Sequence, residues 1–367
     1  MRILYDHQVT SLQDAGGISA YFYQVARLLS QEQGIDITLC LGGNNSVVPF
    51  GSLARENCHV LSYVTSFKRG FTRYIVNDAV TSAYLATRGR FDVYHPTLYR
   101  CMPFARTHAV VVTHHDCILE MFPELFRNPA GRRLVKKRQF ARADAIICVS
   151  ENSRRDLVRF YEVAPEKLHV IHLGMTKPGI GAMPAAASAA RPYLLYVGGR
   201  KLVKNFTGLV RAFGASRLRD EFKLVCAGGG EFNKEELQLI AGESLEGRVV
   251  LLPRVPDEQM GALYQGAHAF VYPSLYEGFG LPPLESMACG TVPVVSGVSS
   301  MPEVCGEGAI YFDPNSVESM VDSLERACYD SSLREEMRQK GASVVARYSW
   351  DNCARQTLRV YRDLDSR

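Results

Sequence analysis

In the stretch EGFGLPPLESMACG, Glu277 and Glu285 stand eight residues apart, with Gly278, Gly280 and the adjacent Pro282 and Pro283 between them. Carboxylates accept hydrogen bonds from sugar and ribose hydroxyls; two of them close together are also the acid and nucleophile of a retaining glycosidase. Adjacent prolines suit the first turn of a helix, where no N–H is needed. The N–H groups of Phe279, Gly280 and Leu281 would then stand at the positive end of that helix, where an anion binds. Glu285 as a plain helix-surface acid remains the alternative. A second stretch, VGGRKLVKNF over residues 197–206, sets Gly198 and Gly199 before Arg200, Lys201 and Lys204. Open backbone, a helix start and fixed cations together suit a phosphate; a solvated basic turn is the bland reading. Neither G-x-x-x-x-G-K-[ST] nor G-x-G-x-x-G is present, which disfavours a nicotinamide cofactor.

Two further loops carry suitable groups. In DAGGISAY, residues 14–21, Gly16 and Gly17 precede a helix whose cap is expected at Ser19 or nearby. In THHD, residues 113–116, His115 could bond a sugar hydroxyl or shuttle a proton, with Asp116 beside it. A packed histidine and a capping aspartate are the alternative. His95, in VYHPT, either packs in the structure or lines an acceptor side. Arg127, Arg132, Arg133, Lys136, Lys137, Arg138 and Arg142 fall in residues 127–142 without an acid, a helix that either meets anionic lipid or shows a solvated face.

The elements that must position these loops are short β-branched runs alternating with longer helical patterns. Strands read at RILYD, ITLCLG, HVLSYV, DVYHP, AVVVTHH, AIICVS and HVIHL, then at YLLYVG, KLVCAG, VVLLP, AFVYP, VPVVS and AIYF. Helices read at SAYFYQVARLLSQE, PAGRRLVKKRQFARA, KNFTGLVRAFGAS, DEQMGALYQGA, LPPLESMAC and SVESMVDSLERACYD. Such alternation implies parallel sheets covered on both faces, with ligands outside the carboxyl ends of the strands. Residues 176–192 have a linker's Ala/Gly/Pro composition. The expected organisation is two doubly wound, Rossmann-like α/β domains facing a cleft: 1–175, the linker 176–192, and 193–345, with 346–367 a C-terminal helix.

The bulk composition fits two globular domains. The chain has 367 residues, 47% apolar and 22% charged, and a net charge of +4, too small alone to argue for a nucleic-acid partner. The ten cysteines show no C-x-x-C and read as buried apolar groups in a reducing compartment. No metal-ligand spacing appears, so no metal or other cofactor is expected. MRILYDHQ is no signal peptide and no uncharged run is long enough to span a bilayer, so a cytoplasmic protein is expected, with a peripheral contact at the inner membrane as an option.

Taken in order, GGISAYF, VYHPT, THHD, ADAIICVSENSRRDL, VGGRKLVKNF and LYQGAHAFVYPSLYEGFGLPPLESMACGTVPVVSGVSSMPEV resemble the retaining, E-x7-E glycosyltransferases of family 4, with the GT-B fold, over essentially the whole chain. The resemblance implies an acceptor domain followed by a nucleotide-sugar domain, and a final helix, with Trp350, crossing back to the first. It implies that Arg200 and Lys204 neutralise the leaving diphosphate, that Glu285 holds ribose and Glu277 the donor sugar, and that His115 meets donor and acceptor. Gly17 would let its loop close over the diphosphate. One departure is that Gly199 stands where many members have arginine. The implied activity is metal-independent hexosyl transfer with retention. The donor is GDP-mannose first, then GDP- or dTDP-rhamnose and UDP-hexoses. The acceptor is a glycan or a polyprenyl-diphosphate-linked glycan of O-antigen, capsule or exopolysaccharide. Alternatives are an epimerase or phosphorylase of this fold, or a non-catalytic nucleotide-sugar-binding protein.

Overall fold

The computed structural model describes residues 1–13, 16–43, 48–63, 71–100, 105–184 and 192–366. They form two compact units: Met1–Gly174 with Ser349–Arg367, and Met175–Tyr348.

In the first unit, β1 (Arg2–Tyr5), β2 (Asp36–Gly42), β3 (Cys58–Ser62), β4 (Phe91–His95), β5 (Thr107–His114), β6 (Ala145–Cys148) and β7 (Leu168–Val170) form one sheet. Its order is β3-β2-β1-β4-β5-β6-β7 and its pairings are parallel, with Ile3 opposite both Ile37 and Val93. Leu4, Tyr94, Val112 and Ile146 share a buried cluster with Phe140 and Leu157 from the covering helices. Each such side chain contributes about 1.5–3 kcal/mol by leaving water.

The second unit repeats the scheme with β8 (Tyr193–Val197), β9 (Lys223–Ala227), β10 (Val249–Leu252), β11 (Ala269–Tyr272), β12 (Pro293–Ser296) and β13 (Ile310–Phe312), in the parallel order β10-β9-β8-β11-β12-β13. Leu194, Leu224, Val271 and Val294 pack with Phe206, Phe213 and Leu324 of its helices. Strand order reverses between β1 and β4, and again between β8 and β11. At such a switch point the connections leave in opposite directions and open a crevice beyond the strand ends.

The helix Trp350–Asp365 belongs to the first unit, capped by Ser349, whose side chain accepts from Asn352 N–H. It buries Trp350, Cys353, Leu358 and Tyr361 against that unit. The backbone of Trp350 comes so near Gly174 that a Cβ there would lie 2.2 Å from Trp350 N.

Of the segment 176–192, residues 185–191 lie outside the described ones. The part before them is packed rather than free: Gly181 N–H donates to Glu258 O at 2.6 Å, and Gly261 N–H to Gly179 O at 2.9 Å. Its glycines permit this approach, since a Cβ on Gly181 would lie 2.6 Å from Glu258 O. The described cysteines are buried and form no disulfide. No helix among the described residues is long and apolar enough to cross a membrane.

Candidate active site

The second unit gathers the carriers of chemistry at its switch point. After β8 the chain turns at Gly198, passes the turn Leu202–Lys204, and enters the helix Phe206–Ala215 through Asn205, which is left-handed at φ 50°. Leu275 N–H donates to Val203 O at 2.8 Å, tying this loop to the one after β11. Lys204 Nζ then donates to Glu277 Oε1 at 2.5 Å and to Tyr272 Oη at 3.3 Å. The lysine side chain keeps 27% of its surface exposed and the glutamate 10%. An ammonium has three N–H groups, so one remains for a ligand.

The Glu277 loop is held from behind. Glu277 N–H donates to Ser299 Oγ at 3.0 Å, while the single O–H of Ser300 is shared between Glu277 O at 3.0 Å and Phe279 O at 2.9 Å. Sequence reasoning missed these two serines; the only signal is a polar pair between a buried strand and a helix start. Gly278 is buried in this loop, and the Phe279 ring turns inward, 5.6 Å from that of Tyr348, so that residue offers backbone only. Gly280, at φ 96°, caps the helix Leu281–Ala288, and a Cβ there would lie 2.4 Å from Met301 Cε. The first turn of such a helix leaves N–H groups without intrahelical acceptors. Leu281 is half-buried at that turn. Farther along, Glu285 accepts from Tyr264 Oη at 2.9 Å. Burial pushes its carboxyl pKa up; the Tyr264 bond acts against that rise and Asp257 adds to it.

Arg200 is engaged by the protein itself. Its side chain is 3% exposed and points beneath the turn after β9, where it meets Glu236 and a row of backbone carbonyls. The glycine turn offers the guanidinium a matching set of carbonyl acceptors. Gly199 is exposed, and a Cβ there would meet nothing within 4 Å.

In the first unit, the helix Gly17–Leu29 is capped by Gly16, not by Ser19. Ser19 lies in its first turn, and its buried Oγ has no hydrogen-bond partner among the described residues. Gly16 and Gly17 are exposed; the neighbouring Asp14 and Ala15 lie outside the described residues.

His95 is a structural residue, a correction to the acceptor-side expectation. It is fully buried, with Nδ1 2.5 Å from Tyr361 Oη and Nε2 2.8 Å from Thr113 Oγ1. Burial, then the charge of His115, pushes its pKa down to about 3. His115 packs edge-on to Tyr21, with ring centroids 5.7 Å apart, and its Nε2 is buried without a hydrogen-bond partner among the described residues. Burial first, then Lys136, pushes its pKa down to about 3. Its ring is therefore held neutral at physiological pH. Asp116 Oδ1 accepts from Ile118 N–H at 3.0 Å, an Asx turn that starts the next helix.

Lys136 separates from the basic run that contains it. It is buried and pairs with Glu120 at 3.0 Å, and its Nζ donates to Asp116 O at 3.1 Å. Arg132, Arg133, Lys137, Arg138 and Arg142 on the same helix are exposed, as are Leu134 and Val135. Among the described residues, no three His, Cys, Asp or Glu side chains gather as a metal site.

The profile described as Glycosyltransferase Family 4 matches residues 15–176, and that described as Glycosyl transferases group 1 matches residues 185–344. The O-antigen chain mannosyltransferase B of Escherichia coli is 32% identical over 284 residues, which cover 74% of each chain. Among solved structures, the sucrose-phosphate synthase of Thermosynechococcus elongatus superposes with a TM-score of 0.78 at 20% identity, covering 100% of this chain and 99% of that one. Anabaena Alr3699/HepE, in complex with UDP-glucose, gives 0.75 at 17% identity, covering 99% and 100%.

Proposed function

The chain belongs to glycosyltransferase family 4, with the GT-B fold, and from that premise we propose that it transfers a hexose, mannose first, from a nucleotide-sugar donor to a glycan hydroxyl. The Lys204–Glu277 pair at the β8/β11 switch point carries this reading. As the glycosidic bond breaks, negative charge develops on the departing diphosphate. A cation fixed beside it lowers the barrier without reorganising. Lys204 is that cation, held by Glu277 and Tyr272 with one N–H left over. Glu277 accepts hydroxyls of the donor sugar and Glu285 those of ribose. The N–H groups at the start of Leu281–Ala288 face the sugar and the distal phosphate.

The proposed transfer retains anomeric configuration and requires no divalent metal. An ion-paired Glu277 is suited to holding hydroxyls rather than to donating a proton, which argues against the glycosidase reading of the two acids. GDP-mannose is the proposed donor, and a lipid-linked glycan of O-antigen, capsule or exopolysaccharide assembly the proposed acceptor. The relative named as an O-antigen chain mannosyltransferase supports mannose as the sugar and an O-antigen glycan as the acceptor. The first unit takes the acceptor, with His115 as a neutral hydrogen-bonding group. The exposed cations and apolar side chains of Pro129–Arg142 rest on the anionic inner face of the cytoplasmic membrane.

A panel of nucleotide sugars tests the donor by thermal shift. The true donor raises stability as RT ln(1 + [L]/Kd), and GDP-mannose is expected to give the largest shift. No shift with any GDP-, UDP- or dTDP-sugar refutes the reading. Activity is expected to survive EDTA, and loss restored by magnesium or manganese refutes metal independence.

A further inference from the structure

We infer that Arg200 is a positioning residue, which clamps the Gly228–Glu231 turn into one wall of the nucleotide crevice and leaves Lys204 as the cation for the diphosphate. The inference rests on the reading of the second unit as the donor site. Arg200 Nε donates to Glu236 Oε1 at 3.0 Å and Nη1 to Gly228 O at 2.8 Å. Its Nη2 donates to Gly230 O at 2.9 Å and Glu231 O at 2.7 Å, with Gly229 O at 3.4 Å. A guanidinium has five N–H groups. These bonds use Nε, Nη2 and half of Nη1, so at most one N–H is left for anything else. The guanidinium carbon also lies 4.8 Å from the centre of the Phe232 ring, which fixes its plane.

The turn is built to receive this clamp. Gly228, Gly229 and Gly230 take φ of 87°, 78° and 74°, three successive left-handed residues that only glycine adopts at low cost. A Cβ on Gly229 would lie 2.7 Å from Arg200 Nη1 and 3.0 Å from Gly198 O. Glu236 anchors the other end. Its Oε2 accepts from Asn233 N–H at 2.9 Å in the capping box of Lys234–Gly242, while Oε1 takes Arg200. The turn follows β9, next to β8, and Gly198 N–H bonds Ala227 O at 2.9 Å, so it borders the crevice on the side of β8 away from Glu277. Its shape should therefore govern how tightly the nucleotide binds, and the departure of the leaving group much less.

The test compares Arg200→Met and Arg200→Lys with the unaltered enzyme in steady-state transfer and in calorimetric titration. The probe is whichever of GDP, UDP and dTDP binds wild type most tightly. Thermal melting checks that each variant folds. Losing several charge-assisted bonds from the turn is expected to raise donor KM and nucleotide Kd about tenfold with kcat within about threefold. Arg200→Lys should behave like Arg200→Met, since lysine keeps the charge but lacks the planar fork. A hundredfold-scale fall in kcat at unchanged KM, or wild-type behaviour in Arg200→Lys, overturns the inference. Gly229→Ala disturbs the turn while keeping the arginine and carries the test if Arg200→Met does not fold. It should reproduce the rise in KM, and a wild-type KM there overturns the inference. Failure of the donor-site reading looks different: wild type binds none of the three diphosphates, or Lys204→Met turns over normally.

Discussion

The two units share a strand order yet treat their switch points in opposite ways. In the first, the residue after β1 is Asp6, 2% exposed, and its carboxylate is consumed by neighbours. Oδ1 accepts from Thr97 N–H at 3.0 Å, Thr97 Oγ1 at 2.7 Å and Gln8 N–H at 3.2 Å; Oδ2 accepts from Gln8 Nε2 at 2.5 Å and Tyr94 Oη at 2.6 Å. In the second, the residues after β8 are glycines, and the acid and base that meet there, Glu277 and Lys204, retain exposure and a spare donor. At one switch point the chain's own polar groups take up the carboxylate. At the other, Lys204 keeps a donor beyond its two protein partners. A doubly wound sheet therefore supplies a place for a site, and the side chains beyond its strands decide whether that place is used for chemistry or for stability.

The largest expected effect breaks the second crevice. Lys204→Met should lower kcat by about 10²–10³-fold, as loss of one preorganised group at a developing charge does. Melting should change little, since the side chain is partly exposed. Turnover near wild type would place the cation elsewhere. Asp6→Ala is the counterpart. It should cost about 2–3 kcal/mol of stability, because buried donors of Thr97, Gln8 and Tyr94 lose their acceptor. Urea unfolding followed by tryptophan fluorescence reads this directly, because the single tryptophan, Trp350, lies in the first unit. An unshifted midpoint would show that the Asp6 network is dispensable.

Acid should separate the units next. Burial pushes His95 and His115 down to about 3, and lowers His7 and His114 as well, all in the first unit; in the second only His268 is lowered among the described residues. Each of these imidazoles ionises in the unfolded chain near its ordinary pKa of about 6.5 and at a lower pH in the folded one. Their stabilisation is complete above that value and is lost as pH falls from there toward the folded pKa. A fully buried imidazole such as His95 or His114 costs about 1.4 kcal/mol for each pH unit in that window. Between pH 7.5 and 5, the Trp350 transition should therefore fall faster than the remaining helical signal in circular dichroism. Parallel shifts of the two signals would contradict this difference between the units.

How much of this was legible follows from what sets each feature. The strands were readable because burial on both faces of a parallel sheet demands continuous apolar runs such as AVVV and YLLYV. The Glu277–Glu285 loop was readable because glycines, prolines and acids rarely coincide without a backbone reason. The helices Lys234–Gly242 and Ser331–Val345 were not, because only a narrow stripe of each is buried: Ile240 in the first, and Met337, Gly341 and Val344 in the second. Side-chain direction was the deeper gap. Arg200 and Lys204 look alike in a basic turn, and only the carbonyls after β9 decide that the arginine faces back. Lys136 looks like its exposed neighbours until Glu120, distant in sequence, meets it. His95 ends its strand beside Tyr361, from the far end of the chain. Each depends on a partner that no local pattern announces.

The finest test of the open crevice is Tyr264→Phe. The tyrosine is fully buried, and its hydroxyl donates to the Glu285 carboxylate at 2.9 Å, so the change removes one hydrogen bond and little volume. If Glu285 holds donor hydroxyls, loosening it should raise donor KM about 2–10-fold, the worth of one hydrogen bond, with kcat nearly constant. The pH dependence should move too. Burial already raises the Glu285 pKa and the Tyr264 bond restrains that rise, so its loss lifts the pKa further. A protonated carboxyl is a poorer acceptor, so donor KM should climb as pH falls, beginning at a higher pH in the variant than in the wild type. An unchanged KM profile would take Glu285 out of donor binding and leave the ligand's hold on this crevice to Lys204, Glu277 and the backbone.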